Sequence, residues 1–197
     1  MPMPSLLERE LKRKTIHISG SLIPILYIFA VWEIAIIVLS ICFLAALSIE
    51  WLRLKYEWQI SFARSHEYLS ISGALYFAFS ALFAILFFQK EIAISTLLML
   101  AIGDSICGIA GAAFEIKIGG FKESRRRKPV HLFMLMLIIC LLLAYPFLPF
   151  EAALIGAVVA ALADSLPLNL FDEMLDDNLT IPILSGTAMS IAMLIFL

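Results

Sequence analysis

Two groups of acids lie where acids need a reason to be. Asp104 interrupts the apolar stretch Ala101–Gly111 (AIGDSICGIAG), and Asp176-Asp177-Asn178 opens the last apolar run of the chain. An ionisable residue in a nonpolar segment is expensive and marks a functional site by default. Consecutive Asp-Asp-Asn oxygens suit a hard cation such as Mg²⁺, which takes one or two carboxylates and fills its shell with phosphate or water oxygens. Capping of the following helix by Asp177 or Asn178 would use one of these groups but leave the rest of the cluster unexplained.

Other residues point to phosphate. Gly108 and Gly111 follow Asp104 at helical offsets of four and seven, which puts bare backbone on the carboxylate's face. Small residues there permit tight helix packing or the close approach of a phosphate. Six basic residues fall within Lys117–Lys128, among them Lys122, Arg125, Arg126 and Lys128, and Gly119-Gly120 lies between them. Such charges hold a loop on the cytoplasmic side and attract anionic lipid, but the two glycines also let backbone amides curl around an anion. Asp164 repeats the Asp104 pattern behind a stripe of Ala153, Gly156, Ala160 and Ala163. His17, Glu67 and Gly73 lie near the ends of apolar segments and are assigned, with Asp164, to the substrate side.

The elements that must position these groups follow from composition. The 197 residues are 62% hydrophobic and 15% charged, with a mean hydropathy of +1.01. That composition cannot cover a soluble domain with polar surface. An all-α, polytopic membrane protein is expected, with one domain over residues 1–197. A span needs about 20 apolar residues. Seven segments qualify, near Ile16–Val31, Ile34–Ile49, Leu69–Phe88, Ile92–Phe114, Val130–Leu148, Ala152–Pro167 and Leu179–Leu197; six spans result if one is re-entrant. With the N-terminus inside, all of the 14 Lys and Arg except Lys90 fall on the cytoplasmic side, as the positive-inside rule requires. The segment Glu50–Glu67 suits an interfacial helix, and Asn169–Asn178 is an acidic inner loop. No cleavable signal peptide is evident. Cys42, Cys107 and Cys140 are far apart in apolar runs, where cysteine acts as a small packing residue.

Every group named so far then faces the cytoplasm. Carboxylates, a divalent cation and basic residues suit phosphoryl transfer, in which catalysis is positioning and charge neutralisation. No P-loop or kinase glycine-rich motif is present, and the acceptor would be a lipid alcohol arriving from the bilayer.

Several segments match a known pattern in order and spacing: ELKRKTIHISG (Glu10–Gly20), IEWLRLK (Ile49–Lys55), ISGALYF (Ile71–Phe77), AIGDSICGIAG (Ala101–Gly111) and DDNLTIPILSG (Asp176–Gly186). Together they resemble the CTP-dependent lipid kinases that include dolichol kinase, phytol kinase and the yeast-type diacylglycerol kinase. The resemblance implies transfer of a nucleotide's terminal phosphate, from CTP with ATP as the other donor, to a polyprenol or glyceride hydroxyl at the cell membrane. It implies Mg²⁺ held by Asp104, Asp176 and Asp177, catalysis by Asp104 and Asp177, and nucleotide contacts from Gly108, Gly111, Lys122, Arg125, Arg126, Lys128 and Asn178. The chain departs from the pattern at Lys128-Pro129-Val130-His131-Leu132, which lacks the hydroxyl, acid and glycine found there in the family. The expected partners are a nucleotide, a membrane lipid alcohol and the bilayer, with no nucleic acid. The rival functions are a phospholipid cytidylyltransferase, which would yield a CDP-lipid, and a small membrane transporter, which would need acids spread through the membrane depth.

Overall fold

A long, interrupted helix forms the middle of the fold. In this computed structural model, residues 6–56, 58, 71–118, 128–166, 168–170 and 173–196 are described. Helix α5 (Lys90–Leu98) continues through a π-helical turn (Met99–Asp104) into α6 (Ser105–Ile118). The most apolar stretch of Lys90–Phe114 is 78% buried inside the fold, against 11% for that of α3 (Trp32–Lys55). The first is therefore core. The second turns Ile34, Ile37, Val38, Ile41, Leu44 and Leu47 outward, an apolar surface of the kind that hydrocarbon covers better than water.

Around the central helix pack α4 (Gly73–Phe87), α7 (Val130–Ala144), α8 (Phe150–Ser165) and α9 (Asp177–Phe196). Among the described residues the one regular element other than helix is an antiparallel ladder of β1 (Asn169–Leu170) with β2 (Glu173–Met174), pairing Asn169 with Met174. Among the described residues, three helices are long and apolar enough to cross a membrane: Trp32–Lys55, Lys90–Phe114 and Asp177–Phe196. Helices α4 and α7 are apolar but shorter, at 15 residues each. The set is compatible with a membrane protein.

Two expectations change. Ile16–Val31 is not one helix: α1 (Leu6–Ser19) ends before Gly20, and α2 (Leu22–Phe29) restarts after Ser21. The Phe77 ring occupies the space that a Cβ on Gly20 would need, and Pro24 sits in the first turn of α2, where its missing N–H is tolerated. Eight residues rise about 12 Å, well short of a bilayer core. The start of Glu50–Glu67 is likewise not an interfacial helix. It is the last turn of α3, where Glu50 and Arg53 are buried and paired at 2.8 Å; residues 57 and 59–70 lie outside the described set. Glu50 also accepts from the Ser72 N–H (2.7 Å) and hydroxyl (3.0 Å), which ties the start of α4 to the end of α3.

The tightest packing follows the small residues. Helix α8 buries Ala152, Ala153, Gly156, Ala157, Ala160 and Ala161, and Met189 of α9 lies across Gly156. Within α9, Pro182 has no N–H to offer the Asn178 carbonyl four residues earlier. That carbonyl accepts instead from the Ser80 hydroxyl of α4 at 2.6 Å. Thr96 of α5 donates to the Pro182 carbonyl at 2.9 Å, and its hydroxyl lies 2.6 Å from Ser185 Oγ. These bonds fix the N-terminal half of α9 against the core.

Candidate metal centre

Four elements end at one place. The C-terminal half of α1 carries Lys14 and, in its last turn, His17; the π-helical turn ends on Asp104, α8 carries Asp164 in its last turn, and α9 begins with Asp177. Carboxylate oxygens of Asp104, Asp164 and Asp177 all lie within 4.8 Å of one another. Asp104 and Asp164 are buried and Asp177 is partly exposed.

Two lysines enter this triad. Lys14 Nζ is 2.5 Å from Asp104 Oδ2, and Lys128 Nζ is 2.5 Å from Asp164 Oδ1. A lysine is almost never fully buried without a partner, and Lys14, at 2% exposure, has this one. Burial draws the pKa of Lys128 down, but Asp164, with Asp104 and Asp177, raises it further, so the net shift is upward and the ammonium stays charged at neutral pH. The His17 Nε2 lies 3.3 Å from Asp104 Oδ2 and 3.2 Å from the Leu100 carbonyl, and its ring meets Phe77 edge-on. Single π turns are frequent at functional sites; here the turn carries both the Leu100 carbonyl and Asp104 to His17.

The Lys14 and Lys128 ammoniums each meet one carboxylate of the group, on Asp104 and Asp164. Among the described residues, Ser105 Oγ, Ser165 Oγ, Asp164 Oδ2 and Asn178 Oδ1 are also buried without a hydrogen-bond partner. Native folds leave few buried polar atoms unpaired. Here they sit on the three triad acids' own segments, and one is a triad oxygen. A hard, all-oxygen donor set with unassigned lone pairs is the chemistry that Mg²⁺ prefers, so the residues present fit this ion.

The triad differs from the expected metal set in one member: Asp164, assigned above to the substrate side, stands in place of Asp176. Asp176 Oδ1 accepts from the Asn178 N–H (2.9 Å) and side-chain amide (2.6 Å), and its carbonyl receives Leu179 and Thr180. Asp176 thus caps α9, and in doing so orients Asn178 and Asp177. Gly108 does not offer bare backbone to a nucleotide, because the Lys14 side chain already lies across it, and Gly111 faces Leu132 of α7. Gly73 is the first residue of α4, which packs against α9, and is not part of the triad. Lys122, Arg125, Arg126 and Glu67 lie outside the described residues.

Lys14, Ser105 and Ser165 were not singled out by sequence reasoning. The available signal was the spacing of Lys14 and His17, three residues apart on one helical face, beside a basic run that charge topology already explained. No family model, no curated protein and no solved structure matches this chain.

Proposed function

We propose that the chain is a polytopic integral-membrane lipid kinase with its N-terminus in the cytoplasm, which transfers the terminal phosphate of CTP to the hydroxyl of an isoprenoid alcohol such as dolichol or another polyprenol. The observation that carries this reading is the convergence of Asp104, Asp164 and Asp177 within 4.8 Å, with ammonium groups on two of them. The choice of CTP and of a polyprenol acceptor comes from the family resemblance of the motifs.

A bound Mg²⁺ would be held by the three aspartates and would neutralise charge on the transferred phosphoryl group. Lys128, about a quarter exposed beside Asp164, is the cation best placed to meet an incoming phosphate. Asp104 is buried, paired with Lys14 and approached by His17, so it is closed to the lipid hydroxyl and suits a cation ligand better than a base. Asp177 is the most open of the three and takes the role of base. In the reaction the lipid oxygen attacks the terminal phosphorus, the bond to the bridging oxygen breaks, the nucleoside diphosphate leaves, and the hydroxyl proton passes to Asp177. Apolar outer surfaces such as that of α3 suit delivery of the alcohol from the bilayer.

The test is purified protein in nanodiscs with Mg²⁺, CTP or ATP labelled in the terminal phosphate, and a panel of polyprenols and diacylglycerol. Labelled lipid phosphate is the expected product, and Asp104→Asn should reduce its formation by about 100-fold or more. Absence of lipid phosphate from every pairing rejects the kinase reading. With a lipid phosphate such as phosphatidate added to the panel and CTP labelled in the α-phosphate, a labelled CDP-lipid with release of pyrophosphate identifies a cytidylyltransferase.

A further inference from the structure

Lys14 behaves unlike a surface lysine that attracts phosphate. Its stem runs across Gly108 so closely that a Cβ there would overlap Cε and lie 3.0 Å from Nζ, and its ammonium ends on Asp104 Oδ2. The lysine therefore occupies one of the two oxygens that Asp104 could offer to a cation bound by the triad. A second observation shows that the triad is not a closed set of ion pairs. Asp164 is 5% exposed, and its Oδ2 has no hydrogen-bond partner although Oδ1 holds Lys128.

We propose that Lys14 is a resident counter-ion of the cation site, neutralising Asp104 while no divalent ion is bound and competing with such an ion for Asp104 Oδ2. The inference rests on the cation-site reading above. Three carboxylates at this separation in a low-dielectric setting repel one another and disfavour their own ionisation, so an unloaded site needs internal positive charge. Lysine suits that task. It is a point charge on a flexible stem, whereas an arginine fork would lock onto the carboxylate. Gly108 supplies the groove in which the stem lies. Lys14 is on this account a positioning residue that acts through Asp104.

The counter-ion role and a merely structural role predict opposite signs. A strut, when removed, loosens the site and weakens cation binding; a competitor, when removed, strengthens it. The experiment is Mn²⁺ titration of the full chain in nanodiscs, without nucleotide or lipid substrate, with free Mn²⁺ followed by electron paramagnetic resonance. Lys14→Met, similar in shape but uncharged, should bind Mn²⁺ about tenfold more tightly than the parent chain, the order expected for one unit charge removed from a partly screened site. Lys14→Arg should bind no more tightly than the parent. Gly108→Ala keeps every charge but pushes the stem off Asp104, so it should also tighten binding, and it carries the test if Lys14→Met does not fold. Tightening in either variant supports the proposal; unchanged or weaker binding in the folded variants overturns it. If neither the parent chain nor any variant binds Mn²⁺, the cation-site reading falls and the counter-ion falls with it. Asp104→Asn should abolish any binding seen.

Discussion

Lys128 is held twice against the end of α8: its Nζ lies 2.5 Å from Asp164 Oδ1, and its backbone N–H donates to the Ser165 carbonyl at 3.1 Å. Charge and backbone thus fix the same residue where the basic segment enters α7. Removing one partner of a buried pair leaves the other uncompensated, whereas removing both can be nearly neutral. Lys128→Met should therefore lower stability by about 3 kcal/mol, and Lys128→Met with Asp164→Leu should recover most of that loss. Thermal unfolding in detergent checks both. The pKa of Lys128 is raised above its ordinary 10.5, so its contribution is complete below that value and is lost only as pH climbs through the raised one. Stability of the parent chain should show no step from Lys128 between about pH 6 and 9.

A proline and a hydroxyl form a second dependent pair. The Ser80 hydroxyl satisfies the Asn178 carbonyl that Pro182 cannot reach. Ser80→Ala should destabilise by about 1–3 kcal/mol, the range for a buried carbonyl left unpaired. In a Pro182→Ala background the helix regains an N–H for that carbonyl, and the same Ser80→Ala change should then have less effect. Equal losses in both backgrounds, measured by thermal unfolding, would reject the substitution of one donor for the other.

Two glycines separate packing from binding. A Cβ on Gly111 would lie 3.3 Å from Leu132 Cδ1, a contact that gives by a few tenths of an ångström, whereas a Cβ on Gly186 would drive into the Phe88 ring. Gly186→Ala should cost about 1–3 kcal/mol through overpacking. Gly111→Ala should stay within about 1 kcal/mol of the parent, since alanine's better helix propensity offsets a mild clash. Unfolding midpoints order the two. Unchanged nucleotide affinity in Gly111→Ala would confirm that this glycine serves the α6–α7 contact.

Glu50 joins α3 to α4 by accepting from Arg53 and from Ser72. Glu50→Ala removes all of these bonds and should cost about 3–5 kcal/mol. Glu50→Gln keeps an acceptor for Ser72 and should cost less. The comparison is made by unfolding, and equal losses would show that the Ser72 bonds add little.

Much of the helical frame was legible because apolar segment length is a strong signal: α3, α4, α7, α8 and α9 each lie on an expected apolar segment. The break at Gly20 was not, since it depends on the Phe77 ring from a distant helix taking the space of a missing Cβ. Asp104 stood out by its cost in a nonpolar run. Asp176 and Asp177 are adjacent acids that look alike in a sequence, while only Asp176 has its side chain folded back to cap α9; Asp164 joins the triad because the end of α8 meets Asp104 in space. Lys14 was the hardest to see. Its partner is 90 residues away, and a lysine in a basic run near an apolar segment already has a sufficient explanation in charge topology.

The π-helical turn at Met99–Asp104 has a consequence for the angular phase of the central helix. Each residue of an α-helix advances the side-chain direction by about 100°, and a π turn admits its extra residue without breaking the rod. Thr96 before the turn therefore addresses α9, and Asp104 at its end addresses Asp164 and Asp177, through a rotation that uniform α-geometry would not give. Deleting one residue within Met99–Ile102 would regularise the helix and swing Asp104 out of line with Asp164 and Asp177. Such a variant should keep its helical circular dichroism while losing Mn²⁺ binding. An alignment that closes a gap at this point would match the acid by letter and misplace it in space.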